Sequence, residues 1–221
     1  AVVSAKSRSI PHAIVIRKDT FGKYKLRQEA LNDYPLSREE ALMQVVDHLG
    51  DNDIVVSTTG KLSRELFEYR ESKGQGHARD FLTVGSMGHS SSIALGVALE
   101  KPDRRVYCLD GAVSNIGDLS PKNYRHVLFN NGAHESVGGQ PTLGFRLDIA
   151  SIAKGCGYAH VLTASDKEGL SCALEKLSGL SGPVLLEIKV RIDSRDDLGR
   201  PTTTPVENKE YFMAFLKDTH S

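Results

Sequence analysis

Cysteine is scarce in this chain. Cys108, Cys156 and Cys172 form no CxxC pair and no even set from which a disulfide framework could be built. Each stands among apolar or small neighbours without a nucleophile motif or a local base, so a buried thiol is expected at each rather than a catalytic one. An excess of charge of either sign is missing too: 28 basic and 28 acidic side chains cancel, which gives no general pull toward nucleic acid or an anionic membrane. No apolar run approaches the roughly 20 residues of a bilayer-spanning helix. The opening stretch "AVVSAKSRSIPH" has no apolar centre of the secretory kind. A cytoplasmic protein without nucleic-acid or membrane partners is expected.

Familiar ligand motifs are absent as well. The eight histidines never fall into HxxxH or HxxEH, which removes the common zinc patterns. A Walker A loop ending at Gly60-Lys61 would need glycine at Val55 and a hydroxyl at Leu62. The dinucleotide pattern GxGxxG is broken in "GCGYAH", where His160 takes the last glycine's place, and "GSMG" has the wrong spacing. P-loop and NAD chemistry are thereby demoted.

What is present is alternation. At 221 residues, 39% of them hydrophobic, the chain can bury a substantial core. Residues 1–35 carry one short strand-like run, "AIVIRK", and read as a linker or the tail of something upstream. From Ser37 the texture changes: "SREEALMQVVDHLG" offers a capping box, Ser37 with Glu40, a helical apolar rhythm and a stopping Gly50. Short apolar strands then alternate with helical stretches to "PVLLEIKV", and "TPVENKEYFMAFLKD" closes with an amphipathic helix. This pattern predicts an α/β fold, a parallel sheet with helices on both faces.

Ligands of such sheets sit where strands end and loops to the helices begin. "STTGKLS", "VGSMGHSSS", "CLDGAVSN" and "FNNGAHES" each follow a strand and are rich in Gly, Ser, Thr or Asn, so they are expected to cluster at one sheet edge. Taken singly they are ordinary turn and helix-capping chemistry. Together they leave backbone N–H groups near helix N-termini, which favours an anion and above all a phosphate. Asp110 and Asn131 end two of the strands. Oxygen donors of this kind suit Mg²⁺ shared with a phosphate.

The residues that supply these loops also carry a resemblance. "FLTVGSMGHSSSIALGVALEKPDRRVYCLDG", "NYRHVLFNNGAHESVGGQPT" and "DLGRPTTTPVENK" are similar to the cofactor-binding half of thiamin-diphosphate-dependent 2-oxo acid decarboxylases. Those that act on phosphonopyruvate are nearest, and the sulfopyruvate enzymes next. The likeness implies the thiamin diphosphate-binding fold over residues 36–221, with thiamin diphosphate and Mg²⁺ as cofactors. Asn131 would coordinate the metal through its side chain and Ala133 through its carbonyl. Gly85 would hold the aminopyrimidine through its carbonyl, and Met87 would be the wedge that bends the cofactor. Thr59, Gly60, Ser86, His89, Gly111 and Ser136 would complete the cofactor-binding loops.

The same resemblance implies a substrate, a small 2-oxo acid bearing a phosphonate. Lys61, Arg195 and Arg200 are candidates to meet its charge, and His134 and Glu135 to move protons. It also exposes two departures. After "LDG" the family continues through a further stretch holding the metal-binding aspartate, whereas here Gly111 runs into "AVSNIGD"; Asp110 matches the preceding aspartate. The glutamate that activates the pyrimidine ring belongs to a separate pyrimidine-binding domain or subunit, of which residues 1–35 resemble only the tail. A partner of that kind and a homo-oligomer are expected. A noncatalytic anion- or nucleotide-binding module of the same fold is the alternative that the residues leave open.

Overall fold

The computed structural model describes residues 6–7, 13–17, 20–22, 32–110, 119–135 and 138–218. Its first long element is helix α1, Arg38–His48. Ser37 Oγ accepts from the Glu40 N–H at 3.1 Å while the Glu40 carboxylate accepts from the Ser37 N–H at 2.7 Å, so the expected capping box is closed. Then follow β1 Ile54–Ser57, α2 Lys61–Ser72, β2 Asp80–Leu82, α3 Ser90–Glu100, β3 Val106–Asp110 and β4 Tyr124–Asn130. The short strands β5 Ala133–His134 and β6 Gln140–Pro141 precede α4 Ile149–Gly155, β7 His160–Ala164, α5 Lys167–Gly179, β8 Val184–Lys189 and α6 Pro205–Lys217.

Six strands form one parallel sheet in the order β2-β1-β3-β4-β8-β7. Alternate residues of each strand face opposite sides, and both sides are covered. Val55, Tyr107, Leu109, Val127, Phe129, Leu186 and Ile188 pack under α1, α2 and α5. Ile54, Val56, Val106, Cys108, Tyr124, Leu128 and Leu185 pack under α3, α4 and α6. This double burial is why the central strands read as continuous apolar runs rather than alternating ones. Ala94 and Ala98, both buried, let α3 lie close against β3. An ion pair with both side chains fully buried, Arg70 Nε and Nη2 to Asp80 Oδ2 and Oδ1 at 2.9 Å each, ties the end of α2 to the start of β2.

The chain leaves β1 toward β2 on one side and then crosses back to β3 on the other. Strand order therefore reverses between β1 and β3, and a crevice opens where their C-terminal ends part. The strands β2, β1, β3 and β4 are consecutive neighbours, so the loops that follow them gather at one edge, as their composition predicts.

Two readings of the sequence need correction. Residues 13–17 of the strand-like run are exposed and belong to no strand; an apolar run without a neighbouring strand has nothing to pair with. The stretch after Asn131, read as loop, contains the antiparallel β5–β6 pair, with Ala133 opposite Pro141 and His134 opposite Gln140. Among the described residues no helix is long and apolar enough to cross a membrane.

Candidate cofactor-binding site

The crevice at the strand reversal is a cleft. It is lined by Thr58, Thr59, Gly60, Lys61 and Leu62 from the β1–α2 turn, Met87 from the β2–α3 loop and Asp110 from the end of β3. Phe129, Asn131, Ala133, His134 and Glu135 come from the end of β4 and beyond, and Arg38 from the start of α1. A second cleft lies on the far side of the 129–134 segment, sharing Phe129, Asn131, Ala133 and His134, and is bounded by Leu143, Leu147 and Ile149. The loop after β4 is thus the wall between two depressions.

Each wall has a local cause. Gly60 precedes α2 at φ +111°, a conformation that side chains rarely adopt, and brings the first turn of the helix to the cleft. The Ser63 hydroxyl, donating to Thr58 O at 2.6 Å, holds that turn closed. In the β4 wall, Asn130 Nδ2 donates to the buried Glu187 carboxylate at 2.7 Å and to Gly144 O at 2.9 Å, while its Oδ1 accepts from the Gly132 N–H at 3.1 Å. Asn131 Oδ1 accepts from the Ala133 N–H at 3.1 Å, and its Nδ2 donates to Glu135 Oε2 at 2.9 Å. The Asn131 carbonyl accepts from Asn32 Nδ2 at 3.3 Å.

Behind this wall lies a charge network that the sequence reading missed. Arg38 forms a fork with Glu65, Nε to Oε2 at 2.9 Å and Nη2 to Oε1 at 2.6 Å, and its third nitrogen reaches Glu135 Oε2 at 2.5 Å. Burial pulls the Arg38 guanidinium down, but the hydrogen bonds and charge of Glu65, then Glu135, outweigh it and hold the group above its ordinary pKa. Arg38 is therefore a fixed cation at the cleft. The available signal was a pair of charged residues at positions of α1 and α2 that the apolar rhythm assigns to the inside. Their meeting depends on how two helices 27 residues apart are docked, which periodicity does not show.

The predicted site residues divide into three groups. Thr59, Gly60, Met87, Asp110, Asn131, Ala133, His134, Glu135 and Lys61 meet in the one cleft. Gly85 and Ser86 precede Met87 in the same loop but are not among its lining residues, and His89 is exposed at the start of α3, its Nδ1 3.2 Å from Met87 O. Gly111 and Ser136 lie outside the described residues, as does the Gly111–Ala112 junction. Lys61 bonds to the Ser194 hydroxyl and stands 3.8 Å from Glu135. Arg195 must be withdrawn as a substrate contact. Its guanidinium is taken up by Glu39 at 2.9 Å and Glu68 at 2.5 Å, which pin the 191–200 segment to α1 and α2, and by Asp197 of the same segment at 3.1 Å. Arg200 is exposed and lines neither cleft.

Asp110, which lines the cleft, is held from the other side by the first residue of α3. Ser90 Oγ donates to its Oδ2 at 2.7 Å, and the ligand atoms of Cys108, Asp110 and His126 lie within 4.8 Å of one another, all buried. His126 Nδ1 and the Tyr158 hydroxyl are 2.5 Å apart. Burial, then the charge of Asp110, pushes the Cys108 thiol far up, so it is an inert buried thiol as expected. Cys156 is half-buried and Cys172, on α5, is exposed, so the expectation of a buried thiol fails at those two.

The family described as "Thiamine pyrophosphate enzyme, C-terminal TPP binding domain" matches residues 58–188, from the turn after β1 to the end of β8. The chain belongs to this family. It is 36% identical over 189 residues to the phosphonopyruvate decarboxylase of Streptomyces viridochromogenes, a match covering 81% of this chain and 46% of that protein. Identity is 37% over 145 residues with the sulfopyruvate decarboxylase beta subunit of Methanocaldococcus jannaschii, covering 61% of this chain and 73% of the subunit. The chain spans about half the length of the phosphonopyruvate decarboxylases it matches, 46% and 47%. A benzoylformate decarboxylase from Polynucleobacter necessarius superposes with a TM-score of 0.60 at 18% identity, over 75% of this chain and 35% of that one; the likeness is one of fold. The residues matched by the TPP-binding family include the loops after β1, β2, β3 and β4, so the loops that line the cleft fall within the matched region.

Proposed function

We propose that this chain is the diphosphate- and Mg²⁺-binding half of a thiamin-diphosphate-dependent decarboxylase acting on 3-phosphonopyruvate, with phosphonoacetaldehyde and CO₂ as products. The observation that carries the proposal is the convergence of Thr59, Gly60, Met87, Asp110, Asn131 and Ala133 in one cleft at the strand reversal. The donor set fits the cofactor: an amide oxygen and a backbone carbonyl suit Mg²⁺, and the start of α2 at Gly60 offers N–H groups to a diphosphate. Asn131 and Ala133 would hold the ion, with Thr59, Gly60, Gly85, Ser86, Met87, His89, Gly111 and Ser136 around the cofactor. When bound, thiamin diphosphate supplies the electron sink that decarboxylation of a 2-oxo acid requires.

The chain's own residues then have separable tasks. Met87 is exposed and unbranched at the cleft mouth, a shape suited to filling the space beneath a bent cofactor. Lys61 presents an ammonium group at the cleft, placed to meet a dianionic substrate tail. His134 is exposed and lines the cleft, which leaves it able to exchange protons with a substrate there; Glu135 is held by Arg38 and Asn131. The pyrimidine-activating glutamate would come from a further domain or subunit. The chain's similarity both to half of a longer protein and to most of a beta subunit supports such a division.

Those same two similarities support a second reading, with 3-sulfopyruvate as substrate. The deciding experiment compares kcat/KM for the phosphonate and sulfonate substrates in the full-length protein with its pyrimidine-binding partner. Preference for the sulfonate overturns the substrate assignment. Failure of thiamin diphosphate with Mg²⁺ to raise the melting temperature overturns the cofactor assignment and favours a noncatalytic anion-binding module. Lys61→Ala is expected to raise KM for the phosphonate with little change in Mg²⁺ affinity; an unchanged KM removes Lys61 from the substrate site.

A further inference from the structure

The carboxamide of Asn131 has two ends of nearly equal size, and only one of them can ligate a cation. Either orientation fills the same space, so partners alone decide which end is offered. Two partners do so here. The Ala133 N–H can only donate, and it points at Oδ1 from 3.1 Å. The Glu135 carboxylate accepts from Nδ2 at 2.9 Å. A flipped amide would set oxygen against carboxylate and N–H against N–H.

Glu135 is itself immobilised. Its Oε2 takes both the Asn131 amide and the Arg38 guanidinium, the latter at 2.5 Å. Arg38 is fixed in turn by its fork with Glu65, whose side chain is 1% exposed. A chain of charge-assisted bonds thus runs from the interior of α2, through the first residue of α1, to the amide at the end of β4. Nothing in the packing of α1 on α2 needs it to continue to Glu135, because the Arg38–Glu65 fork is complete without it.

We propose that Glu135 is a positioning residue, clamped by Arg38, that orients the Asn131 amide with Oδ1 toward a divalent cation without touching the cation itself. The inference rests on the reading of the cleft as a thiamin diphosphate–Mg²⁺ site. It predicts that cation affinity depends on an acceptor at position 135 rather than on negative charge there. Outer partners of metal ligands typically govern affinity by 10- to 100-fold.

The test uses the full-length protein with thiamin diphosphate, and Mn²⁺ as a paramagnetic stand-in whose binding is read by electron paramagnetic resonance. Glu135→Ala leaves the Arg38–Glu65 fork intact and is expected to weaken Mn²⁺ about tenfold. Glu135→Gln keeps an acceptor for Nδ2 and is expected to stay within about threefold of the wild type. In the cofactor-free protein, the side-chain amide signals of Asn131 are expected to shift in Glu135→Ala and to hold their wild-type positions in Glu135→Gln. An unchanged Mn²⁺ affinity in Glu135→Ala overturns the proposal. Equal weakening in both variants also overturns it, since Glu135 would then act as a ligand or through its charge. The underlying reading fails separately: if the wild type binds no Mn²⁺, or Asn131→Ala binds it as well as the wild type does, the cleft is not the cation site.

Discussion

The two loops that face each other across the cleft are built in opposite ways. Among its described residues the loop after β4 is extensively bonded: the Asn130 and Asn131 side chains each make several hydrogen bonds, and Gly132 O accepts from the Thr142 N–H at 2.7 Å. Gly132 also lies against the ring of Phe145. The loop after β2 is the reverse. Val84, Gly85, Met87, Gly88 and His89 are exposed, and the one side-chain hydrogen bond among them is internal, His89 to Met87 O. A Cβ added at Gly85 or Gly88 would meet nothing within 4 Å. One wall is organised by the protein before any ligand arrives. The other offers its positive-φ glycines and a bare methionine to whatever fills the cleft. A metal ligand must be aimed in advance, whereas a wedge need only press against a ring once the cofactor is there.

This contrast can be broken most forcefully at the base of the organised wall. Arg38→Met removes the cation from between two carboxylates whose side chains are 1% and 10% exposed. Leaving buried carboxylates without their partner costs about 3–5 kcal/mol. Urea unfolding should show the loss as a lowered midpoint with an unchanged slope; a midpoint near the wild-type value would mean that the network is replaced by water.

Next in size is a pair of glycine substitutions that sets the loops side by side. Gly132→Ala places a Cβ 2.4 Å from the Phe145 ring at φ +68°, so strain and collision add. A loss of about 2–4 kcal/mol is expected. Adding Phe145→Leu should recover part of it, because the collision but not the backbone strain is relieved. Gly88→Ala, at φ +79° with open space around it, should cost only about 1 kcal/mol. Equal losses at the two positions would abolish the distinction between the walls.

How far the site could be read from sequence follows the same division. The strand ends at Asp110 and Asn130 were legible because apolar runs stop there in Gly- and Asn-rich turns, and that near Ser57 to within a residue; the run "FLTVG" reads as strand past Leu82, where pairing with β1 stops. Parallel alternation then obliges the loops to share an edge. The open wall, "VGSMG", is almost fully described by its own residues, since it makes few contacts beyond itself. The organised wall is not. Arg38, Glu65 and Glu187 lie far from Asn131 in the chain, and what joins them is helix docking and strand pairing. Arg195 failed as a candidate for a related reason: a guanidinium near a predicted site looks available until its carboxylates, on α1 and α2, are brought beside it.

The smallest effect on stability, and the sharpest on function, belongs to Met87. Its side chain is 73% exposed, so Met87→Ala removes little buried surface and should leave the unfolding midpoint of the cofactor-free protein within about 0.5 kcal/mol of the wild type. The same change should be visible once thiamin diphosphate and Mg²⁺ are added. Stabilisation by a ligand grows as the logarithm of its concentration over its dissociation constant. A tenfold weaker complex therefore removes about 1.4 kcal/mol of that gain at any saturating concentration. Met87→Leu, of similar volume but branched, should fall between the two. If instead Met87→Ala destabilised the free protein and left the ligand-dependent gain intact, the methionine would belong to the scaffold. The two walls of the cleft would then be organised alike.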